Sequence, residues 1–513
     1  MSNGPASSLD TYKNAARRLR KSHAKGEAEA LARVAAHVPS DKALRHADFL
    51  HVIAREAGHD SWPKLKFALE SAAMSRAERA ERLKMALYFG QHWVTEKLLA
   101  ADPALKEDNL GLQIALYDLA AVKSALESEP NAALSEIGVR TPILHLAFSK
   151  EIHRSPERQG DMLAIAELLR TGGADVNDGY ATEPGSEHKV SALYGALCHA
   201  DNPVLGEWLL EHGADPNDNE SLYHSTELSG TAALKLLLKH GARPDGTNAL
   251  ARALDFREED KVRLLLEAGA DPDEAIRDHP SGQPIETVPA LHQAARRWCP
   301  APLAELLLDH GADPKRVWKG HTPYATARIF GNEDVAALLE QRGAATPLSE
   351  MEKRLADCAM GKTPAAPFDL ATLPEEDQLL LTRIVFQEDR LDHLKALVEA
   401  GLDPNRTDEM GLPPIHAAGW AGLPEAVAYL LTLKPDLTWK NAFGGDALDT
   451  VLHGSEHRLD KDERDHITCA RLLLEAGSEL YPHFITGCGN EDMVQFLEDW
   501  QDRSGKLDGK ATG

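Results

Sequence analysis

Three histidines stand between a leucine-rich run and a glycine, in His212-Gly213, His240-Gly241 and His310-Gly311. Histidine is the side chain best suited to moving a proton near neutral pH. Here each one closes an apolar run that reads as the end of a helix, where the helix dipole favours a partly positive side chain. Their recurrence is therefore read as structural. Acidic clusters occur at Asp271-Pro272-Asp273-Glu274 and between Asp460 and Asp465. Neither has the spacing of a calcium loop, with its central glycine and terminal glutamate. The five cysteines (Cys198, Cys299, Cys358, Cys469 and Cys488) are far apart and odd in number. None has zinc-site spacing, and no disulfide framework follows. Cys488 lies between Gly487 and Gly489, an ordinary thiol in a turn. No nucleophile-elbow, zinc-protease, phosphate-loop or dinucleotide motif occurs. The expectation is a protein that is not an enzyme, with no cofactor and no metal.

The element that must position any functional residue is a recurring phrase. It reads Leu-Leu-x-x-Gly-Ala-Asp-Pro-Asn, cleanest at 209–217, 265–273 and 307–315 and looser at 168–177, 237–245 and 397–405. Faded copies are 338–345 and 473–478. Leucines bury one helix face, the glycine ends the helix in the left-handed region, and proline prevents its resumption. Asp and Asn serve the turn that follows. The glycines fall at 173, 213, 241, 269, 311, 343, 401 and 477, giving intervals of 40, 28, 28, 42, 32, 58 and 76. The last two fit two units each. A helix near Met351–Met360 fills the 58. An ending at Leu430-Leu431-Thr432-Leu433-Lys434-Pro435-Asp436, which has lost its glycine, divides the 76. A period of this size means stacked units.

The unit from Asp408 carries the resemblance. Asp408-Glu409-Met410-Gly411-Leu412-Pro413-Pro414-Ile415-His416-Ala417-Ala418, followed by Gly422, Val427, Leu430 and Leu431, resembles the ankyrin repeat. Partial matches are Thr141-Pro142-Ile143-Leu144-His145, Val288-Pro289-Ala290-Leu291-His292 and Gly320-His321-Thr322-Pro323-Tyr324. Most units lack the full Thr-Pro-Leu-His start. The family unit is a β-turn finger and two antiparallel helices in about 33 residues. The resemblance covers roughly residues 80 to 500 and implies an all-α ankyrin-repeat solenoid of helix-turn-helix units with short fingers, several of them degenerate. It also implies a structural role for His416 within the turn. The two 28-residue intervals are too short for full fingers, so the stack is expected to be irregular there.

The expected organisation is a disordered start at 1–9, a helical module at 10–74, an array of about a dozen units with terminal caps at 75–500, and a loose tail at 501–513. The module, with Phe49 to Glu56 and Ser61-Trp62-Pro63, is similar to the helical segment before the repeats of many bacterial ankyrin proteins. Its first helix carries Lys13, Arg17, Arg18, Arg20, Lys21 and Lys25, read as a solvated face that caps the array or folds back on its acidic body. Trp62 is read as a core anchor. Insertions are expected between Phe148 and Asp161, from Asp178 to Lys189, from Pro280 to Val288 and from Gly454 to Glu463.

A formal charge of −25 argues against nucleic acid, whose binding needs Lys and Arg on phosphates, and favours a basic partner. No run approaches 18 apolar residues, so no membrane partner is expected. With no secretory h-region and no disulfide framework, the sequence reads as a cytoplasmic monomer. The resemblance implies protein binding on the concave face lined by finger tips and first helices. Aligning the fingers places Trp318 and Lys319 at one tip, Met410 at another and Phe443 at a third, with Trp420 on the first helix of the Asp408 unit. Tyr180 and Tyr223 are lesser candidates. The expected function is a non-catalytic scaffold, adaptor or inhibitor. The alternatives are an antitoxin or immunity partner of a basic protein, an exported effector, and a hidden enzyme.

Overall fold

The helix endings show why the phrase recurs. In the computed structural model, which describes residues 9–39, 44–182, 185–274, 288–458 and 460–508, the phrase glycines take positive φ: 97° at Gly213, 93° at Gly269, 94° at Gly311 and 100° at Gly401. The amide after each glycine then reaches back to close the helix. Ala214 donates to the Leu209 carbonyl (2.9 Å), Ala270 to Leu265 (3.0 Å) and Ala312 to Leu307 (3.0 Å). The aspartate accepts from the amide two residues on, at 2.9 Å for Asp215, 2.8 Å for Asp271 and 2.9 Å for Asp403. The last residue of the phrase ties one unit to the next. Asn177 accepts from the Asp215 amide (2.7 Å) and donates to the Gly213 carbonyl (3.1 Å), and Asn217 accepts from the Arg243 amide (2.9 Å). Where the glycine is lost, Lys434 is itself forced to φ +57°.

By contacts the chain divides into two compact units, residues 74–348 and residues 1–73 with 349–513. In residues 74–348 the helices form two layers. The inner layer contains Pro142–Ala147, Ala192–Tyr194, Ser221–Ser225, Ala249–Asp255, Ala290–Arg296 and Pro323–Phe330. The outer layer contains Gln159–Thr171, Pro203–Glu211, Ala232–Lys239, Glu259–Glu267, Ala301–Asp309 and Glu333–Gln341. Successive inner helices pack on one another. One core runs from Ile114 to Ala344, with alanines such as Ala196, Ala253 and Ala294 letting the inner helices approach, and leucines such as Leu209, Leu237, Leu265 and Leu307 filling the space below. Two further helix pairs, Arg76–Phe89 with His92–Ala101 and Leu110–Ala115 with Leu119–Ser128, belong to the same unit.

The irregularities are local. Between Gly213 and Gly269 the fingers shrink to tight turns in which Asn219 (φ 70°) and Asn248 (φ 56°) take the left-handed region, and the inner helix Ser221–Ser225 is barely more than one turn. The segment after Phe148 folds into two short 3-10 turns around a buried Glu151, which accepts from the Arg154 Nε (2.8 Å) and the Ser155 hydroxyl (2.9 Å). The segment from Asp178 to Lys189 is framed by a small antiparallel pair, Gly179–Tyr180 with Val190–Ser191. The insertion expected from Pro280 lies outside the described residues up to 287.

In the other unit, inner helices Leu380–Ile384, Pro414–Trp420 and Ala447–His457 alternate with outer helices Leu391–Glu399, Pro424–Thr432 and His466–Glu475. The expected helix near Met351 is present as Glu350–Ala359. The last helix, Glu491–Asp508, continues well past Asp499, where a loose tail was expected. The N-terminal helices share this unit. Leu9–Ala24, His46–Glu56 and Trp62–Ala73 surround a core in which Trp62 is buried. Their basic face meets the acidic last helix. Arg17 pairs with Glu498, Arg20 pairs with Asp499, and the Ala47 amide donates to Asp492 (3.0 Å).

Candidate functional site

Two surfaces stand out, one in each unit. The first is built by two successive complete fingers. Asp408 accepts from the amides of Met410 (3.0 Å) and Leu412 (2.9 Å), and Gly411 takes φ +70°. Asn441 repeats the device, accepting from Phe443 (3.0 Å) and Gly445 (3.1 Å), with Gly444 at φ +81°. Each loop thrusts its third residue outward. Met410 is 44% exposed and Phe443 77%. The two fingers are joined, the Ala442 amide donating to the Met410 carbonyl (2.9 Å) and the Trp439 indole N–H to the Gly411 carbonyl (2.8 Å). That last bond leaves Trp439 45% exposed beside them. Trp439 was not among the sequence candidates. It lies at the base of its finger rather than the tip, and only its bond to the neighbouring finger fixes its place. Trp420, in the same unit, is half-buried at the end of its helix, with its ring 5.1 Å from that of His453.

The second surface is a ridge along the inner helices of residues 74–348. At one end the Arg140 guanidinium lies over three rings, 4.5 Å from Tyr88, 5.0 Å from Phe148 and 4.5 Å from Tyr180, and donates to the Tyr180 hydroxyl (2.7 Å). Burial and a hydrogen bond with Tyr180 push the Tyr88 phenol up to about 12. Further along, His224 sits between Glu220 and Glu227, 2.9 Å from each. Burial opposes its charge, but the two carboxylates prevail and raise it to about 9. Arg252 pairs with Glu227 (2.7 Å) and lies over Tyr223 at 5.6 Å. Asp255 then accepts from Gln293 (2.5 Å) and Arg297 (2.8 Å). This stretch neutralises itself from one unit to the next.

Trp318 and Lys319 belong to the same unit. Trp318 and His321 exchange backbone hydrogen bonds at 2.9 and 3.0 Å across a tight turn, in which Lys319 and Gly320 have φ 47° and 94°. The Trp318 ring is half-buried against the Arg296 guanidinium (5.1 Å) and His292 (5.7 Å), while Lys319 is exposed. Of the seven sequence candidates, Met410 and Phe443 are the exposed apolar side chains, and they stand on two fingers that are hydrogen-bonded to one another. Tyr180 and Tyr223 lie on the ridge but are separate from one another.

The histidines before the glycines cap their helices. His212 Nδ1 lies 2.7 Å from the Trp208 carbonyl and His310 Nδ1 2.9 Å from Leu306. His145, His292 and His416 are buried, and burial depresses each to about 4. His145 and His292 hold finger carbonyls, Ile137 and His321, each at 3.0 Å. His416 instead meets the Thr450 hydroxyl of the next inner helix at 3.2 Å. Burial pushes the Cys488 thiol up to about 12, which removes thiolate character from the thiol between the two glycines. Among the described residues no three His, Cys, Asp or Glu side chains are disposed to hold a metal ion, and no helix is long and apolar enough to cross a membrane.

Residues 193–276 match the family model for ankyrin repeats, three copies. Among solved structures the chain is similar to the crystal structure of the ankyrin repeat domain of Bcl-3, a member of the IkappaB family. The match has 20% identity, covers 50% of this chain and 97% of that one, and has a TM-score of 0.21. No curated protein matches the chain.

Proposed function

We propose that this chain, an all-α ankyrin-repeat solenoid, is a non-catalytic binding protein that takes a protein partner on the fingers of residues 349–513. The supporting observation is the exposed trio of Met410, Trp439 and Phe443 on two bonded fingers. Large apolar side chains grouped on a surface mark interaction sites, and interfaces draw most of their energy from a few such anchors. The fingers here are held by their own hydrogen bonds, so the trio needs little ordering on binding. The reading extends to a basic partner, which the net charge of −25 favours, and to a cytoplasmic setting, in keeping with five free cysteines.

The test is affinity capture with cross-linking, using the full chain and a W439A/F443A variant as paired baits. A partner held by the first and lost by the second is the expected result. The same partner list from both baits would contradict it.

A further inference from the structure

The ridge in residues 74–348 is neutralised along most of its length, but not at Arg140. Among the described residues no carboxylate pairs with this guanidinium. Its neighbours are the rings of Tyr88, Phe148 and Tyr180, its polar partners are the phenol hydroxyls of Tyr180 and Tyr88, and its Nε is buried without a partner. The nearby Asp178 is committed to the Thr141 hydroxyl (2.5 Å) and the Gly179 amide (2.8 Å). A partly buried guanidinium held by neutral groups alone is a costly arrangement, and a carboxylate brought to it would form charge-assisted bonds of the stronger kind.

The position is reachable. Arg140, Tyr88 and Tyr180 line an open groove of about 380 Å3. Its rim is apolar and solvent-facing, with Met85 44% and Val139 71% exposed. Lys84 also lines the groove, and its one acidic partner, Glu81 at 3.1 Å, is itself largely exposed and weakly held. In a chain of net charge −25, this groove therefore carries the opposite sign.

We infer that the groove is a docking site for an acidic peptide segment of a protein partner. An Asp or Glu side chain would meet Arg140, with Lys84 beside it, and a neighbouring apolar side chain would rest on Met85 and Val139. The charge complementarity selects the carboxylate, and the apolar rim selects a peptide over a free anion. The inference rests on the protein-binding reading but uses a different surface, in the other unit.

A displayed peptide library selected on the full chain tests it. The expected binders carry Asp or Glu within a few positions of an aromatic or branched apolar residue. The best synthetic peptide should lose at least tenfold in affinity when its acid is changed to the amide. It should lose as much against Arg140→Gln, and an intermediate amount against Arg140→Lys, which keeps the charge but not the planar fork. Met85→Glu, at an exposed rim position that leaves folding intact, should also lose tenfold or more. Thermal unfolding of each variant separates these losses from misfolding. Selection of no peptide, of peptides without an acid, or of peptides that bind Arg140→Gln and Met85→Glu as tightly as the unaltered chain would overturn the inference. With inorganic phosphate and acetate added as competitors, displacement of the peptide by phosphate at a concentration where acetate has no effect would also overturn it. Peptides that ignore Arg140 but depend on Trp439 and Phe443 would overturn this site and leave the protein-binding reading standing.

Discussion

The finger patch of residues 349–513 and the inner ridge of residues 74–348 arise from the same repeat in opposite ways. Where fingers are complete, Asp408 and Asn441 fix tight loops that hold Met410 and Phe443 out in solvent. Where fingers are shortened, around Asn219 and Asn248, the inner helices carry the polar and aromatic side chains, and these bond to one another. One surface is apolar and detached from the core. The other is charged and rooted in it. Around Asn219 and Asn248 a shortened finger leaves the inner helices to form the surface, whereas at Asp408 and Asn441 the finger tips form it.

The largest expected effect separates the two by stability. Phe148 is buried, supports Arg140, and is packed so closely that a Cβ on Gly195 would lie 2.6 Å from its ring. Phe148→Ala should cost about 3–5 kcal/mol in urea unfolding. Phe443→Ala should stay within about 0.5 kcal/mol of the unaltered chain. Equal losses would erase the distinction between a rooted and a detached surface.

Binding should reverse that order. Trp439→Ala with Phe443→Ala should weaken partner binding about tenfold or more by calorimetry, with the unfolding midpoint nearly unchanged. The pH dependence sharpens the comparison further. His224 is raised to about 9, so its contribution to stability is complete below about 6.5, the unfolded value, and is lost as pH rises through 9. His416 is depressed to about 4, so its contribution is present above about 6.5 and lost as pH falls toward 4. Thermal scans from pH 4 to 10 should show His224→Gln flattening the alkaline limb only and His416→Gln altering the acid limb only. The smallest effect is at the helix ending that lost its glycine. Lys434→Gly should stabilise by up to about 1 kcal/mol, since Lys434 is held at φ +57°. No gain in the denaturation midpoint would mean that the lysine is held there by other contacts.

Much of this was legible because the phrase is local chemistry. Glycine at a left-handed ending and aspartate in a two-residue turn need only neighbours in sequence, so Gly213, Gly269 and Gly311 announced their helix ends. Phe443 and Met410 could be aligned for the same reason. The Arg140 box could not, because Tyr88, Phe148 and Tyr180 reach it from three separate elements. Trp439 escaped because the helix before it, Pro424–Thr432, ends without a glycine, and because its place depends on the Gly411 carbonyl of another finger. Trp318 read as an exposed tip, but its ring lies back on Arg296, 22 residues earlier, a contact no local pattern shows. The basic first helix found its partners at Glu498 and Asp499, at the far end of the sequence.

The most direct test of the binding account is photo-cross-linking from position 443. A benzophenone amino acid replaces Phe443 in the full chain, which is irradiated in a lysate of the cells that make it, and a probe at exposed Arg471, on the outer helix His466–Glu475, serves as control. One protein cross-linked from position 443, absent from the control and lost on Trp439→Ala, is the predicted result. No cross-linked protein, or the same set from both positions, would contradict the claim that the fingers are the binding surface.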